Sequence, residues 1–160
     1  MTNKSGNLGT AAESATVKAF KRAGFRAKRL TLHGNKDVGD IDVGFDEVCV
    51  EVKGGHAAER ASDKQVREWL VETEVERVNA GAEVGVLVLK RKGIGYDRAD
   101  EWWAVVDVHT LHRLTAPEDM PIVFKVDALC VAPVRLHLGT MIGLLRHYLG
   151  LDLDTPTETT

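Results

Sequence analysis

The sequence predicts an α/β domain in which a mixed central sheet is flanked by helices, and three observations carry that expectation. The segment from Gly39 to Lys53 alternates apolar and charged residues on either side of a turn, the pattern of paired strands. Val84 to Leu89 is an almost unbroken apolar run, as expected of a strand buried on both faces. Between them, Ser62 to Gly81 carries helix start and stop signals, so strand, helix and strand make a βαβ crossover. The 160 residues suffice for one domain with a proper core, but not for two.

Each element has its own justification. A first helix is predicted from about Gly9 to Ala23, because Thr10 to Glu13 has the capping-box pattern and Gly24 fits a left-handed cap. Glu13, Val17 and Phe20 share one face of it. Phe25 to Thr31 reads as a short strand, followed by a polar loop from His33 to Gly39. In the hairpin, a two-residue turn at Asp46-Glu47 pairs Phe45 with Val48, Val43 with Val50 and Ile41 with Val52. That register sets Asp42 opposite Glu51 and Asp40 opposite Lys53. A slip of one residue would bury every charge.

The second helix starts at Ser62, whose spacing to Gln65 suits a capping box, and shows Val71, Val75 and Val78 as its apolar stripe beside Val66, Trp69 and Leu70. Trp102 to Val108 is a further strand, and Pro121 to Val131 supplies one or two more. Leu136 to Leu149 reads as an amphipathic helix and the last nine residues as a disordered tail. One domain over residues 1–151 is thus expected, with a core at about 9–108 and an extension at about 109–151.

Composition narrows the classes. The net charge of −3 does not advertise nucleic-acid binding, but its distribution is uneven. Lys18 to Arg29 holds six cations and no acid, Lys90-Arg91-Lys92 follows a strand, and the acids gather at Glu68, Glu72, Glu74 and Glu76. Lys28, Arg29, Lys90, Arg91 and Lys92 are the residues placed to contact phosphates. Cys49 and Cys130 both sit in apolar runs, which suits buried thiols rather than a disulfide framework. The polar start Met1 to Gly6 carries no secretory signal, and no apolar run has bilayer length. The cytoplasm is the expected location, without a membrane partner.

The chemistry concentrates on the hairpin, whose polar face carries Asp40, Asp42, Glu51 and Lys53 together with Gly44 and Cys49. Two carboxylates about 4 Å apart repel by roughly 4 kcal/mol at an effective dielectric near 20. A divalent cation removes that repulsion and converts it into binding energy. His109 and His112 lack a third ligand at metal spacing.

The order helix, strand, hairpin, helix, strand, with Asp40, Glu51 and Lys53 on the central hairpin, resembles the PD-(D/E)XK nuclease superfamily. Within it, Gly9 to Phe25, Asp37 to Ile41, Val50 to Lys53 and Glu74 to Lys92 are similar to archaeal-type Holliday junction resolvases and their actinobacteriophage relatives. The resemblance covers about the first two-thirds of the chain. It implies a restriction-endonuclease-like α-β-β-β-α-β core and a metal-dependent endodeoxyribonuclease acting on branched DNA as a homodimer. Asp40, Glu51 and the main-chain carbonyl of Val52 would ligate Mg²⁺, for which Mn²⁺ could substitute. Lys53 would orient the attacking water and neutralise the phosphate, Glu13 would complete the acidic cluster, and Asp42 is an additional acid on the same face. Gly39 stands where the superfamily name has proline, a substitution expected to cost little. The alternatives are a nuclease for duplex or flapped DNA, or a non-catalytic nucleic-acid-binding module of the same fold.

Overall fold

The computed structural model describes residues 4–30, 38–116 and 132–151. Six strands line up in the order in which they occur in the chain: β1 (Lys28–Arg29), β2 (Ile41–Asp42), β3 (Val48–Lys53), β4 (Val84–Leu89), β5 (Trp103–Asp107) and β6 (Pro133–His137). β3 and β4 run parallel, and every other neighbouring pair is antiparallel. The helices are α1 (Lys4–Arg22), α2 (Gly55–Glu59), α3 (Asp63–Ala80), α4 (Val108–Thr115) and α5 (Leu138–Tyr148), with a 3-10 turn at Tyr96–Glu101. The architecture is therefore the mixed, helix-flanked α/β sheet that the patterning predicts.

α1 starts before the predicted Gly9, so Thr10 lies inside the helix, where its carbonyl accepts the Ser14 hydroxyl at 2.8 Å. The expected capping box does not form, and Glu13 is released from that duty. The other end is as expected: Gly24 takes φ +89° and Phe25 N–H reaches back to the Phe20 carbonyl at 3.1 Å. α3 also starts as predicted, with the Ser62 hydroxyl accepting from Gln65 N–H at 3.2 Å, and it ends at left-handed Gly81.

The α3 stripe is a correction. Val71, Val75 and Val78 are 49%, 58% and 65% exposed, and the helix instead buries Val66, Leu70, Thr73 and Glu76. That buried row steps by four, three and three residues, so it follows the helical period as well as the valines do. It wins because Val66 and Leu70 pack on Leu87, Leu89 and Val105, while Glu76 reaches the charges of β3. The opposite face of the sheet, with Val50, Val52, Val86, Val88, Ala104 and Val106, packs against α1 and α5 through Ala12, Phe20, Leu138, Met141 and Leu145.

α4, β6 and α5 belong to the same sheet and core. Trp103–Asp107 is shorter than predicted because Asp107 caps α4, its carboxylate accepting from Thr110 N–H at 2.7 Å. Residues 136 and 137, expected to be helical, finish β6 instead. Pro121 to Val131, Cys130 and the tail from 152 lie outside the described residues. No helix among the described residues is long and apolar enough to cross a membrane.

Candidate active site on the β2–β3 hairpin

The hairpin register differs from the predicted one by two residues. The turn is where it was expected, with Phe45 accepting from Val48 N–H at 3.2 Å, yet Ile41 pairs with Val50 rather than Val52. Asp42 explains the difference. Its Oδ1 accepts from Gly44 N–H at 2.7 Å, and Gly44 takes φ +85°, so the first strand uses four residue steps where the second uses two. A shift of two keeps every side chain on its face, so the apolar pattern is silent about it. The consequence falls on the carboxylates, since Asp40 rather than Asp42 comes opposite Glu51.

Asp40 is fixed by the backbone around it. Its N–H donates to the Val50 carbonyl at 2.9 Å, and its Oδ2 accepts from Val52 N–H at 2.9 Å. Gly39 precedes it at φ +92°, and a Cβ there would stand 2.9 Å from Cys49 Sγ and 3.0 Å from the Val50 oxygen. Proline, locked near φ −65°, has no access to that conformation. The glycine is therefore a requirement of this turn, not the near-neutral replacement expected from the superfamily pattern.

Glu51 is 6% exposed and hydrogen-bonds with Asp40. Burial raises Asp40 to about 7, aided by the charge of Glu51 and more weakly of Glu13, and opposed by the Val52 amide. Burial likewise raises Glu51 to about 7, with Lys53 pulling it down and Glu76 pushing it up. Their mutual hydrogen bond raises Asp40 and lowers Glu51, and the two carboxyls share a proton. Lys53 Nζ lies 2.7 Å from Glu51 Oε1 and 3.6 Å from Glu72 Oε2. Burial works against its ammonium, but Glu51, Glu72 and Glu76 outweigh it and hold the group above its usual value.

Glu72 and Glu76 are the members of this network that the sequence reading left among the solvated acids of α3. Their signal was present: Glu76 occupies the buried stripe with Leu70 and Thr73, a place where a lone carboxylate needs a partner. The other predicted residues go elsewhere. Asp42 pairs with Lys28 at 3.2 Å, and Glu13 pairs with Arg29 at 2.5 Å, so two proposed phosphate contacts are engaged by two proposed acids. Lys90 is buried against Glu59, while Arg91 is half-buried and Lys92 exposed. His33 lies outside the described residues.

Among the described residues no group of three or more His, Cys, Asp or Glu side chains is arranged to hold a metal ion. The donors that fit a hard divalent cation are the Asp40 and Glu51 carboxylates and the Val52 carbonyl. In a strand a residue's N–H and C=O point the same way, so the Val52 carbonyl faces the side on which its N–H meets Asp40. Mg²⁺ needs only one or two carboxylates with waters, so the set suffices.

The raised pair has a stability consequence whose sign is fixed. In the folded chain Asp40 and Glu51 keep protons that the unfolded chain, with values of 3.8 and 4.5, has released. The stability they contribute is complete below those values and lost as pH rises through about 7. In EDTA, thermal denaturation should give a Tm that falls from pH 5 to pH 8, by about 3–6 °C per 1.4 kcal/mol. The fall should be smaller in Glu51→Gln, and Mg²⁺ should restore more Tm at pH 8 than at pH 5. An identical pH slope in wild type and variant would show that the pair does not share a proton. Comparison of the chain with protein-family models, with curated proteins and with solved structures yields no match.

Proposed function

We propose that this chain is a divalent-metal-dependent DNA endonuclease whose working groups are Asp40, Glu51 and Lys53. The observation that supports it is the hydrogen-bonded Asp40–Glu51 pair on adjacent strands with the Lys53 ammonium 2.7 Å from Glu51. A buried carboxyl pair that titrates near neutral pH beside a fixed cation is an expensive arrangement for structure alone. It suits a site that receives positive charge from outside.

When bound, Mg²⁺ or Mn²⁺ supplies Lewis acidity and neutralises charge on the phosphate. Asp40, Glu51 and the Val52 carbonyl would hold it. Lys53, held protonated by Glu51, Glu72 and Glu76, acts as a donor toward water and phosphoryl oxygens and not as a base. Glu13, in its ion pair with Arg29, contributes a weak repulsion to Asp40.

Within this reading the substrate is branched DNA, and two symmetric cuts in a four-way junction call for two copies of the chain. The deciding experiment sets a labelled synthetic four-way junction beside its matched duplex, each with Mg²⁺ or EDTA. Paired symmetric nicks in the junction alone, absent in EDTA, are expected. Equal cutting of the duplex would keep the nuclease and discard the junction, making the chain a restriction- or repair-type enzyme. Binding without cutting would leave a nucleic-acid-binding module.

A further inference from the structure

The register of the sheet carries the site's rows to its far edge. Glu51 aligns through Leu87 and Val105 with Arg135, and Lys53 aligns through Leu89 with Trp103 and His137. Arg135 thus lies on the same face as Glu51, three strand spacings or about 14 Å away. That distance is the axial rise of roughly four base pairs.

Two cavities of about 240 and 310 Å³ lie there and share Val66 and Arg135 as common walls. Arg91, Lys92 and Trp103 line the first, and Arg67 lines the second. Trp103 organises the cations: the Arg91 guanidinium stands 4.4 Å from its ring centre and that of Arg135 5.7 Å. Arg91 also bonds His137 at 3.1 Å and the Glu101 carbonyl at 3.4 Å. None of Arg67, Arg91, Lys92 and Arg135 has a carboxylate within ion-pair distance among the described residues, whereas eleven ion pairs form elsewhere. The nearby acid Glu59 is taken by Lys90. Asp63 lines the second cavity and leaves the groove with an excess of positive charge.

We infer that Arg67, Arg91, Lys92 and Arg135, with Trp103 as the platform that positions two of the guanidiniums, form a groove for the phosphate backbone of the DNA flanking the cleavage site. Because Arg91 covers a face of the indole, the recognised group is the phosphodiester and not a stacked base. Planar guanidiniums held in place lose little freedom on meeting a phosphate, which suits paired contacts. Each contact adds about 0.9 to the salt dependence of binding.

This inference rests on the nucleic-acid reading of the Asp40–Glu51–Lys53 site, and its test avoids catalysis. A fluorescein-labelled duplex of about two turns is titrated in EDTA with wild type, Glu51→Gln, Arg67→Glu/Arg135→Glu and, as an exposed control on α4, Arg113→Glu. The double variant should bind roughly tenfold or more weakly at 0.1 M salt, with a salt slope smaller by about two units. Glu51→Gln and the control should keep the wild-type slope. Trp103→Leu should lower affinity with little change of slope, since the charges remain. Equal affinity and slope in wild type and double variant would overturn the groove and leave the active-site reading intact. A double variant that lost only binding of polyglutamate would overturn it in favour of an acidic protein partner. Failure of wild type to bind DNA at all would overturn both readings.

Discussion

Lys53→Ala should lower the rate of DNA cleavage about 10²- to 10³-fold, the effect of removing one well-placed donor at a transition state that gathers negative charge. Substrate binding in EDTA should change by no more than about one phosphate contact. The reason lies in the company the lysine keeps. Glu51, Glu72 and Glu76 hold it as an ammonium, so what is lost is a fixed cation and not a titrating base. Lys53→Arg keeps the charge but moves it, and should recover only part of the rate. Glu51→Gln should be as damaging to cleavage while raising Tm, because it removes a buried charge that burial disfavours. Rising stability with falling activity is the signature of a site, and a merely structural carboxylate would lose both. Single-turnover rates with preformed complexes check this. A Lys53→Ala rate within twofold of wild type would remove the lysine from the mechanism.

The second large effect concerns a cation that does not touch substrate. Lys90 is 9% exposed, and its ammonium meets the Glu59 carboxylate and, at 3.5 Å, the Ile94 carbonyl. The rings of Tyr96 and Trp102 stand 5.3 and 5.8 Å from it. The Lys90 hydrogen bond is the main cause of the lowered pKa of Glu59. Glu59→Ala leaves this ammonium buried without its counter-charge, and such truncations cost about 3 kcal/mol. For a chain of this size that is a Tm loss of about 6–12 °C in thermal denaturation. Lys90→Met keeps the stem and removes the charge, so it should lose much less. Equal losses in the two variants would show that packing, not the stranded charge, sets the cost.

Both results bear on what the sequence could tell. The basic run Lys90-Arg91-Lys92 looked uniform, yet all three border the first cavity and only Lys90 is buried and paired, with Glu59. Nothing local distinguishes them; Glu59, Tyr96 and Trp102 decide it from other elements. The hairpin was legible because alternation fixes faces, and faces are what bury surface. Its register was not, because a two-residue bulge preserves faces and is written only in Asp42 and Gly44. Glu13 was read onto the right side of α1, but its link to Arg29 depends on a strand of two residues. The valine stripe misled because three apolar residues at helical spacing ordinarily mark a core face, and here the carboxylates of α3 had somewhere better to go. β6 was missed outright, since Pro133–His137 puts a proline, an arginine and a histidine into a five-residue strand.

The sheet's sequential strand order has a temporal consequence. Each strand pairs with the one before it, so strands can join the sheet in the order in which synthesis releases them. Asp40, Glu51, Lys53, Glu72 and Glu76 are all in place once β4 has docked. Arg91, Trp103 and Arg135 assemble only as β5 and then β6 complete the edge. The strand order thus allows the charge centre to be paired before its basic flank.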